Sequence, residues 1–518
     1  MSGVEPVMLA EAFAWRAASD READFIADAG AGFATYGQVD DRAEQAARQL
    51  ASVGVGPGSI VALHLVNDSR WPAVLLGVWR RGASAVILSG LLRPTEVGAL
   101  TRAAEAELVV TIRGYGDLSE LEGGPPILEV DDDGRLRSPD GEIVPVANDE
   151  MPTVSAETVA CIFATSGTTG TPKLVRHTHR DLADSARQMV AVYSRKRGFR
   201  ETVAPDAVPP GVILYPFGHI AGLHAFVLRL WVGRRIVLLR KFDVVRLAAL
   251  VSEHRVDVLQ LVPAMLHALA TTSEQVDLSS VKYITAGTAP LPLTTRRTFE
   301  ERYGVPILAT YGSTEVGPVA HVRYTDVVLG RQPANSVGRL GVGVEVRIDT
   351  SKAPDTTDEA ADQESGATGG DSPETGEIVV RKGGAEQPWI GTGDIGYLED
   401  GFLFVTGRLS DMLIVGGFNV FPADVERAIE RTGLVEAVVV VPVPDDRLGQ
   451  IPVAGVVNLA REDRERLPDL LRAEIAPYKI PRHFVDLPRI PLTAREKVDR
   501  AAATAEILER LDRLVPTR

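Results

Sequence analysis

The chain has 518 residues, 45% of them apolar and 24% charged, and its 70 acidic and 55 basic residues leave a net charge of −15. That length needs more than one core. The composition is globular rather than disordered or fibrous, and the acidic balance argues against a broad nucleic-acid-binding face. The one cysteine, Cys161, excludes an internal disulfide framework and a cysteine-built zinc site.

The first residues, Met1 to Pro6, lack a basic segment followed by an apolar one, so no targeting peptide is expected. No stretch approaches the ~20 apolar residues of a membrane-spanning helix, and the expected location is the cytoplasm. From Tyr36 onward helices and strands alternate. Residues 39–53, 71–81 and 94–103 have helical spacing. Residues 60–66, 85–88, 108–111, 161–165, 212–215, 236–239 and 283–286 are short apolar runs that read as strands. This pattern predicts an α/β protein with mostly parallel sheets flanked by helices. Residues 195–210 and 351–376 read as loose segments. The second is acidic, rich in Gly, Ser, Thr and Asp, and too poor in large apolar residues to offset chain entropy, so it is expected to be a disordered surface loop.

A domain boundary is expected near 407–411. Before it, residues 394–405 read as short hairpins. After it, 412–415, 435–443 and 451–459 read as strands, and 423–432 and 463–474 as helices. The expected architecture is a large N-terminal domain of several subdomains, 1–408, followed by a small mobile α/β domain, 409–518.

The most informative stretch follows the apolar run at 159–164. Ser166, Gly167, Thr168, Thr169, Gly170, Thr171, Pro172 and Lys173 combine four hydroxyls, two glycines and a lysine in eight residues. Glycines let backbone N–H groups approach a ligand, hydroxyls donate hydrogen bonds, and lysine adds a point charge. This is the chemistry of a polyphosphate cradle. It is not the P-loop of the GxxxxGK[ST] type, because Pro172 and Leu174 stand where Gly and Ser or Thr would be needed.

Thr165 to Lys173 resembles the phosphate-loop signature of the adenylate-forming superfamily, which holds acyl- and aryl-CoA synthetases, luciferases and peptide-synthetase adenylation domains. Four further motifs follow in that family's order. Tyr311-Gly312-Ser313-Thr314-Glu315 is similar to its adenine and magnesium motif, and Thr392-Gly393-Asp394 to its ribose motif. Gly407-Arg408 with Asp411, followed by Gly416-Gly417-Phe418-Asn419, resembles its inter-domain segment. Pro491-Leu492-Thr493-Ala494-Arg495-Glu496-Lys497 resembles its C-terminal lysine motif. The resemblance spans nearly the whole chain.

The resemblance implies two half-reactions. A carboxylate attacks ATP to give an acyl-adenylate and pyrophosphate, and a thiol, often that of coenzyme A, then displaces AMP. It implies that Thr165, Ser166, Gly167, Thr168, Thr169, Gly170 and Lys173 hold phosphates. Glu315 would hold Mg²⁺. Ala286, Gly287, Thr288, Tyr311, Gly312, Ser313 and Thr314 would line the adenine side, while Asp394 and Arg408 meet the ribose. Lys497 would bridge the attacking carboxylate and the α-phosphate, and Lys497, Glu315, Thr165 and His219 form the implied catalytic set. The segment Phe217-Gly218-His219-Ile220-Ala221-Gly222-Leu223 resembles the acyl-pocket segment, with His219 lining or gating the carboxylate site. Phe217, Gly222, Leu223, Gly287, Gly312 and Val316 complete the expected acid pocket. Ser410 with Gly416 and Gly417 marks the hinge.

Two positions depart from the family pattern. Ser410 replaces a charged hinge residue, and Arg495-Glu496 replaces a small residue and glycine before the lysine. Residues 217–223 contain no acid for a substrate ammonium, which points to an aryl or acyl acid without an α-amino group. The expected partners are that acid, ATP and coenzyme A. A carrier-protein thiol or an amine as acceptor, an unusual small acid, and a non-catalytic nucleotide-binding homologue are the alternatives. The expected assembly is a monomer or homodimer.

Overall fold

The computed structural model describes residues 6–114, 118, 121, 124–139, 141–146, 150–165, 173–193, 208–333, 335–352, 373–415, 418–445, 448–472, 474–475, 477–493 and 497–514. It divides into two units, Met1–Leu261 with Ser273–Thr285, and Val262–Thr272 with Ala286–Arg518.

Most described strands of the first unit form two sheets, while Val258–Leu261 and Tyr283–Ala286 join a nine-stranded sheet with strands described below. One runs Gly211–Ile213, Ile236–Leu238, Asp24–Asp28, Ala34–Thr35. The other has eight strands, with Val159–Thr165, Ser84–Ser89, Ile60–Leu65, Leu108–Ile112 and Ile127–Val130 parallel at its centre. Ala62 lies level with Val86 and Val109, so small and branched side chains of one face share a layer. Helix Tyr36–Ser52 starts where sequence rules place it, at Thr35, whose side chain accepts from Gln38 N–H while Gln38 returns to Thr35 N–H. Helix Trp71–Arg80 is buried from Trp71 through Trp79. Such an element has no polar face and must be enclosed by others. Gly77 permits this: a Cβ there would stand 2.9 Å from Ala46 Cβ on helix Tyr36–Ser52. Helix Leu9–Ser19 and strand Asp24–Asp28, which precede the alternation legible in the sequence, add Leu9, Phe13, Phe25 and Ile26 to the same core.

In the second unit the strands Ile307–Ser313, Gly317–His321, Gly338–Leu340, Phe402–Arg408, Ile390–Glu399, Gly376–Lys382 and Val344–Asp349 follow one another side by side. Every neighbouring pair is antiparallel. These six pairs depart from the mostly parallel order expected from the alternation, which the central strands of the first unit show. Strands Ile390–Glu399 and Phe402–Arg408 are joined by a short turn, as the hairpin reading of 394–405 anticipates.

The residues after 412 build a further sheet, ordered Phe418–Val420, Leu413–Val415, Gly449–Val457, Ala437–Asp445, with His483–Asp486 parallel to Gly449–Val457. Two hydrophobic clusters serve it, and their buried members all lie between Leu413 and Ile507. Residues 194–207, 353–372, 416–417 and 494–496 are outside the described residues, and with them most of both loose segments, Gly416, Gly417, Arg495 and Glu496.

Candidate active site

Tyr311 and Gly312 sit near the end of strand Ile307–Ser313. A Cβ on Gly312 would stand 2.3 Å from the carbonyl oxygen of Gly317 on the neighbouring strand, so only glycine fits. The register slips between Tyr311 and Gly312. An irregularity of this kind re-aims a side chain, and here the Tyr311 hydroxyl donates to Asp394 Oδ2 at 2.8 Å. Gly287 is a second close approach: a Cβ would lie 2.3 Å from Thr310 Oγ1, which itself donates to the Ala286 carbonyl at 3.2 Å. Thr288 follows at φ +71°, a conformation rare for residues other than glycine. The loop 286–288 thus presents a fixed backbone beside the tyrosine strand.

Asp394 and Arg408 face each other across the antiparallel pair Ile390–Glu399 and Phe402–Arg408. Arg408 Nε lies 3.1 Å from Asp394 Oδ1. One carboxylate oxygen therefore accepts a hydrogen bond and the other faces an ion-pair partner. Burial raises the Asp394 pKa, while Arg408, the Tyr311 hydroxyl and the Lys497 ammonium oppose that rise. Burial and the Asp394 charge push the Tyr311 phenol up, so it stays a neutral donor. The turn before Asp394 is held from beneath. Asp394 N–H donates to Thr392 Oγ1 at 3.1 Å, Thr392 Oγ1 donates to Ile378 O at 2.8 Å, and Gly393 N–H, at φ +72°, donates to Glu377 Oε1 at 3.0 Å. Glu377 is 4% exposed. Sequence reasoning did not single it out. Its signal was a lone acid beside the buried run Ile378-Val379-Val380.

Lys497 is tied back to Thr493: Leu492 and Val498 form an antiparallel bridge, Thr493 N–H donates to Lys497 O at 2.7 Å, and Lys497 N–H donates to Thr493 Oγ1 at 3.3 Å. Three residues on, Arg500 opens the last helix. Its guanidinium reaches Asp411 at 3.3 Å, Glu426 at 2.7 Å and the Val440 carbonyl at 2.8 Å. Ser410 sits in the turn Leu409–Asp411, and its hydroxyl donates to Asp411 Oδ1 at 2.8 Å.

Glu315 is half-buried in the turn after Ser313, whose Oγ accepts the Val316 N–H at 3.4 Å. Among the described residues no three His, Cys, Asp or Glu side chains gather as a metal site. One carboxylate still fits Mg²⁺, which commonly keeps several waters and takes its remaining ligands from substrate phosphates.

The expected phosphate-holding residues and the segment 217–223 belong to the first unit, while Thr314 and Val316 belong to the second. Strands Val159–Thr165 and Lys173–Thr178 form an antiparallel hairpin in which Thr165 pairs with the exposed Lys173. Ser166, Gly167, Thr168, Thr169 and Gly170 lie in the intervening loop, outside the described residues. His219 is the N-cap of helix Ile220–Val232, its Nδ1 accepting the Ala221 N–H at 3.1 Å. Gly222 lies against the Pro216 carbonyl, which a Cβ would meet at 2.3 Å. Phe217 is fully buried and stacked on Trp71, ring centroids 4.3 Å apart, and Leu223 is fully buried too. The packing of these two side chains is that of core residues.

The phosphate-type hairpin, the tyrosine–acid turn, the paired carboxylate and the lysine turn follow one another along the chain in the order of adenylate-forming proteins. The chain belongs to the AMP-binding enzyme family: that family's model matches residues 13–385, and the model of the AMP-binding enzyme C-terminal domain matches residues 424–497. It is 31% identical over 493 residues to the 3-[(3aS,4S,7aS)-7a-methyl-1,5-dioxo-octahydro-1H-inden-4-yl]propanoyl:CoA ligase of Rhodococcus jostii (strain RHA1), covering 88% of this chain and 91% of that protein. It is 30% identical over 368 residues to the long-chain-fatty-acid–CoA ligase of Bacillus subtilis (strain 168), covering 68% of this chain and 62% of that protein. Among solved structures, the amide bond synthetase McbA of Marinactinospora thermotolerans superposes with a TM-score of 0.79 at 26% identity, covering 96% of this chain and 99% of that one.

Proposed function

We propose that this protein is an AMP-forming acid–thiol ligase that activates a carboxylic acid with ATP and transfers the acyl group to coenzyme A. The observation that carries the reading is the network of Tyr311, Asp394 and Arg408 with the Lys497 charge acting on it. A carboxylate with one hydrogen bond and one ion pair still has a lone pair on each oxygen for a ribose hydroxyl.

In the first step an oxygen of the acid attacks the α-phosphorus of ATP and the bond to pyrophosphate breaks. In the second the thiol sulfur attacks the acyl carbon and AMP leaves with the bonding pair. The first step joins two anions, so cations and N–H donors must be held where charge gathers. Lys497 bridges the acid and the α-phosphate. Lys173, with Thr165, Ser166, Gly167, Thr168, Thr169 and Gly170, holds the outer phosphates. Glu315 would hold Mg²⁺, which neutralises phosphate charge when bound. Gly287 and Gly312 keep backbone close to the nucleotide, and His219 with Gly222 and Val316 borders the acid.

The body after 408 is read as a mobile domain that brings Lys497 in for the first step and withdraws it for the second, turning about Ser410. Its separate hydrophobic clusters support this. The acid-free segment 217–223, with the ring-bearing and fatty acids named for two relatives, favours an aryl or acyl acid over an amino acid. Transfer to an amine is the second reading, favoured by the likeness to an amide bond synthetase. No helix among the described residues is long and apolar enough to cross a membrane, which accords with a cytoplasmic enzyme. The test is mass spectrometry of products from ATP, Mg²⁺, coenzyme A and a pooled acid library. An acyl-CoA supports the ligase, an adenylate alone moves the acceptor to an amine or carrier, and pyrophosphate release with no acid in the library refutes the substrate class.

A further inference from the structure

The contact between helix Leu293–Tyr303 and the segment 422–436 has an unusual chemistry. The helix begins after Pro292, which supplies no side-chain cap. The cap comes from elsewhere: Glu430, on helix Pro422–Arg431, accepts the Leu293 N–H on Oε2 at 3.3 Å. Thr294 Oγ1 donates to the Glu436 carbonyl at 3.1 Å. His267 Nε2 stands 3.8 Å from Glu436 Oε1, and its Nδ1 lies 3.3 Å from Thr295 Oγ1. Two carboxylates and an imidazole therefore carry this contact.

We infer that this contact is a proton-sensitive latch, which holds the C-terminal body in the orientation where Lys497 acts on Asp394 and loosens as the solution becomes alkaline. The inference rests on the mobile-domain reading above. It makes Glu430, Glu436 and His267 positioning residues that bias the enzyme between its two steps.

Glu430 is 9% exposed and has no ion pair among the described residues. The charges around it have other partners. Arg427 donates to the carbonyls of Val405 and Thr406 and to Asp424, Arg431 pairs with Glu474, and Glu426 pairs with Arg500. From the neighbouring helix Glu430 accepts the Leu293 N–H, and Arg296 there pairs with Glu300. Glu436 also accepts from Asn458 Nδ2. Burial pushes Glu430 up to about 7. Once the helices part it becomes an ordinary solvated carboxylate near ~4.3. The docked form therefore holds a proton that the separated form releases. Docking is strongest below the ordinary carboxylate range and is lost as pH rises through about 7. Between pH 6 and 8 Glu430 alone weakens docking about tenfold.

The test is hydrogen exchange of the full chain at pH 6, 7 and 8, corrected for intrinsic rates and followed at 290–303 and 422–436. These segments should lose about tenfold more protection than the rest of the chain. Glu430→Gln keeps an acceptor for Leu293 but cannot titrate, so its slope should flatten. Thr294→Ala should lower protection at every pH and keep the wild-type slope. Equal slopes in wild type and Glu430→Gln would overturn the latch. Repeating the exchange with AMP, and then with a stable acyl-adenylate analogue and coenzyme A, separates the two ideas. Protection that responds to ligands but not to pH refutes the latch alone, and protection that responds to neither refutes domain motion as well.

Discussion

Replacing Asp394 by Asn tests the nucleotide site with little change of shape. In the parent, Tyr311 OH donates to one carboxylate oxygen at 2.8 Å and Arg408 Nε is ion-paired with the other at 3.1 Å. A ribose hydroxyl would add one charge-assisted bond to each, worth roughly 1.5–3 kcal/mol. Asn keeps one oxygen. Directed at Arg408, it loses the ion pair, and its amide then meets the Tyr311 oxygen, which can turn to accept. One ribose bond is lost and the other becomes neutral, for a total of about 3 kcal/mol, or about a hundredfold in affinity. Calorimetric titration with AMP measures this directly and does not depend on the unidentified acid. The pH profile gives a second readout. Because burial raises the Asp394 pKa, AMP binding to the parent should weaken on acidification at a higher pH than an ordinary carboxylate would require. In the Asn variant it should not respond to that titration. A variant that binds AMP within about threefold of the parent, a difference under ~1 kcal/mol, would remove Asp394 from the site.

Lys497→Ala should lower pyrophosphate release by about 10²–10³ and spare thioester formation from supplied acyl-adenylate; equal loss in both assays would count against its role as the adenylation lysine. Ser410→Pro fixes φ at the proposed pivot, so single-turnover kinetics should show adenylation nearly intact and thioester formation slowed about tenfold or more. If both steps slow alike, the pivot lies elsewhere. Gly287→Ala drives a methyl into Thr310 Oγ1, 2.3 Å away, and should raise the KM for ATP by about tenfold, since overpacking costs roughly 1–3 kcal/mol. An unchanged KM would mean that the loop 286–288 does not approach the nucleotide.

Much of the fold was readable because its elements carry strong local signals. The expected helix at 94–103 is Pro94–Ala103, with Pro at its first position and Glu96 returning to the Arg93 N–H. In the last hundred residues the β-branched run after Leu434 became strand Ala437–Asp445, and the amphipathic stretch after Phe421 became helix Pro422–Arg431. What the sequence concealed are contacts between residues distant along the chain. Glu377 supports the Gly393 N–H from sixteen residues away, and Glu430 caps a helix that starts 137 residues earlier. Neither has a periodic or spaced pattern to betray it. Phe217 illustrates the converse. Its motif places it beside a substrate, whereas the neighbourhood of Trp71 and Phe226 gives its ring a place in the core.

Arg500 ties three things to one guanidinium: Asp411 beside the pivot, Glu426 on the first helix of the C-terminal body, and the Val440 carbonyl in its sheet. Lys497 is three residues upstream, and its carbonyl accepts the Thr493 N–H. On the proposed reading, the reach of the lysine is set where Arg500 is held. On the proposed reading, the acid accepted can change without altering Arg500 and its three partners, which makes the body after 408 a natural unit for exchange between relatives of different specificity.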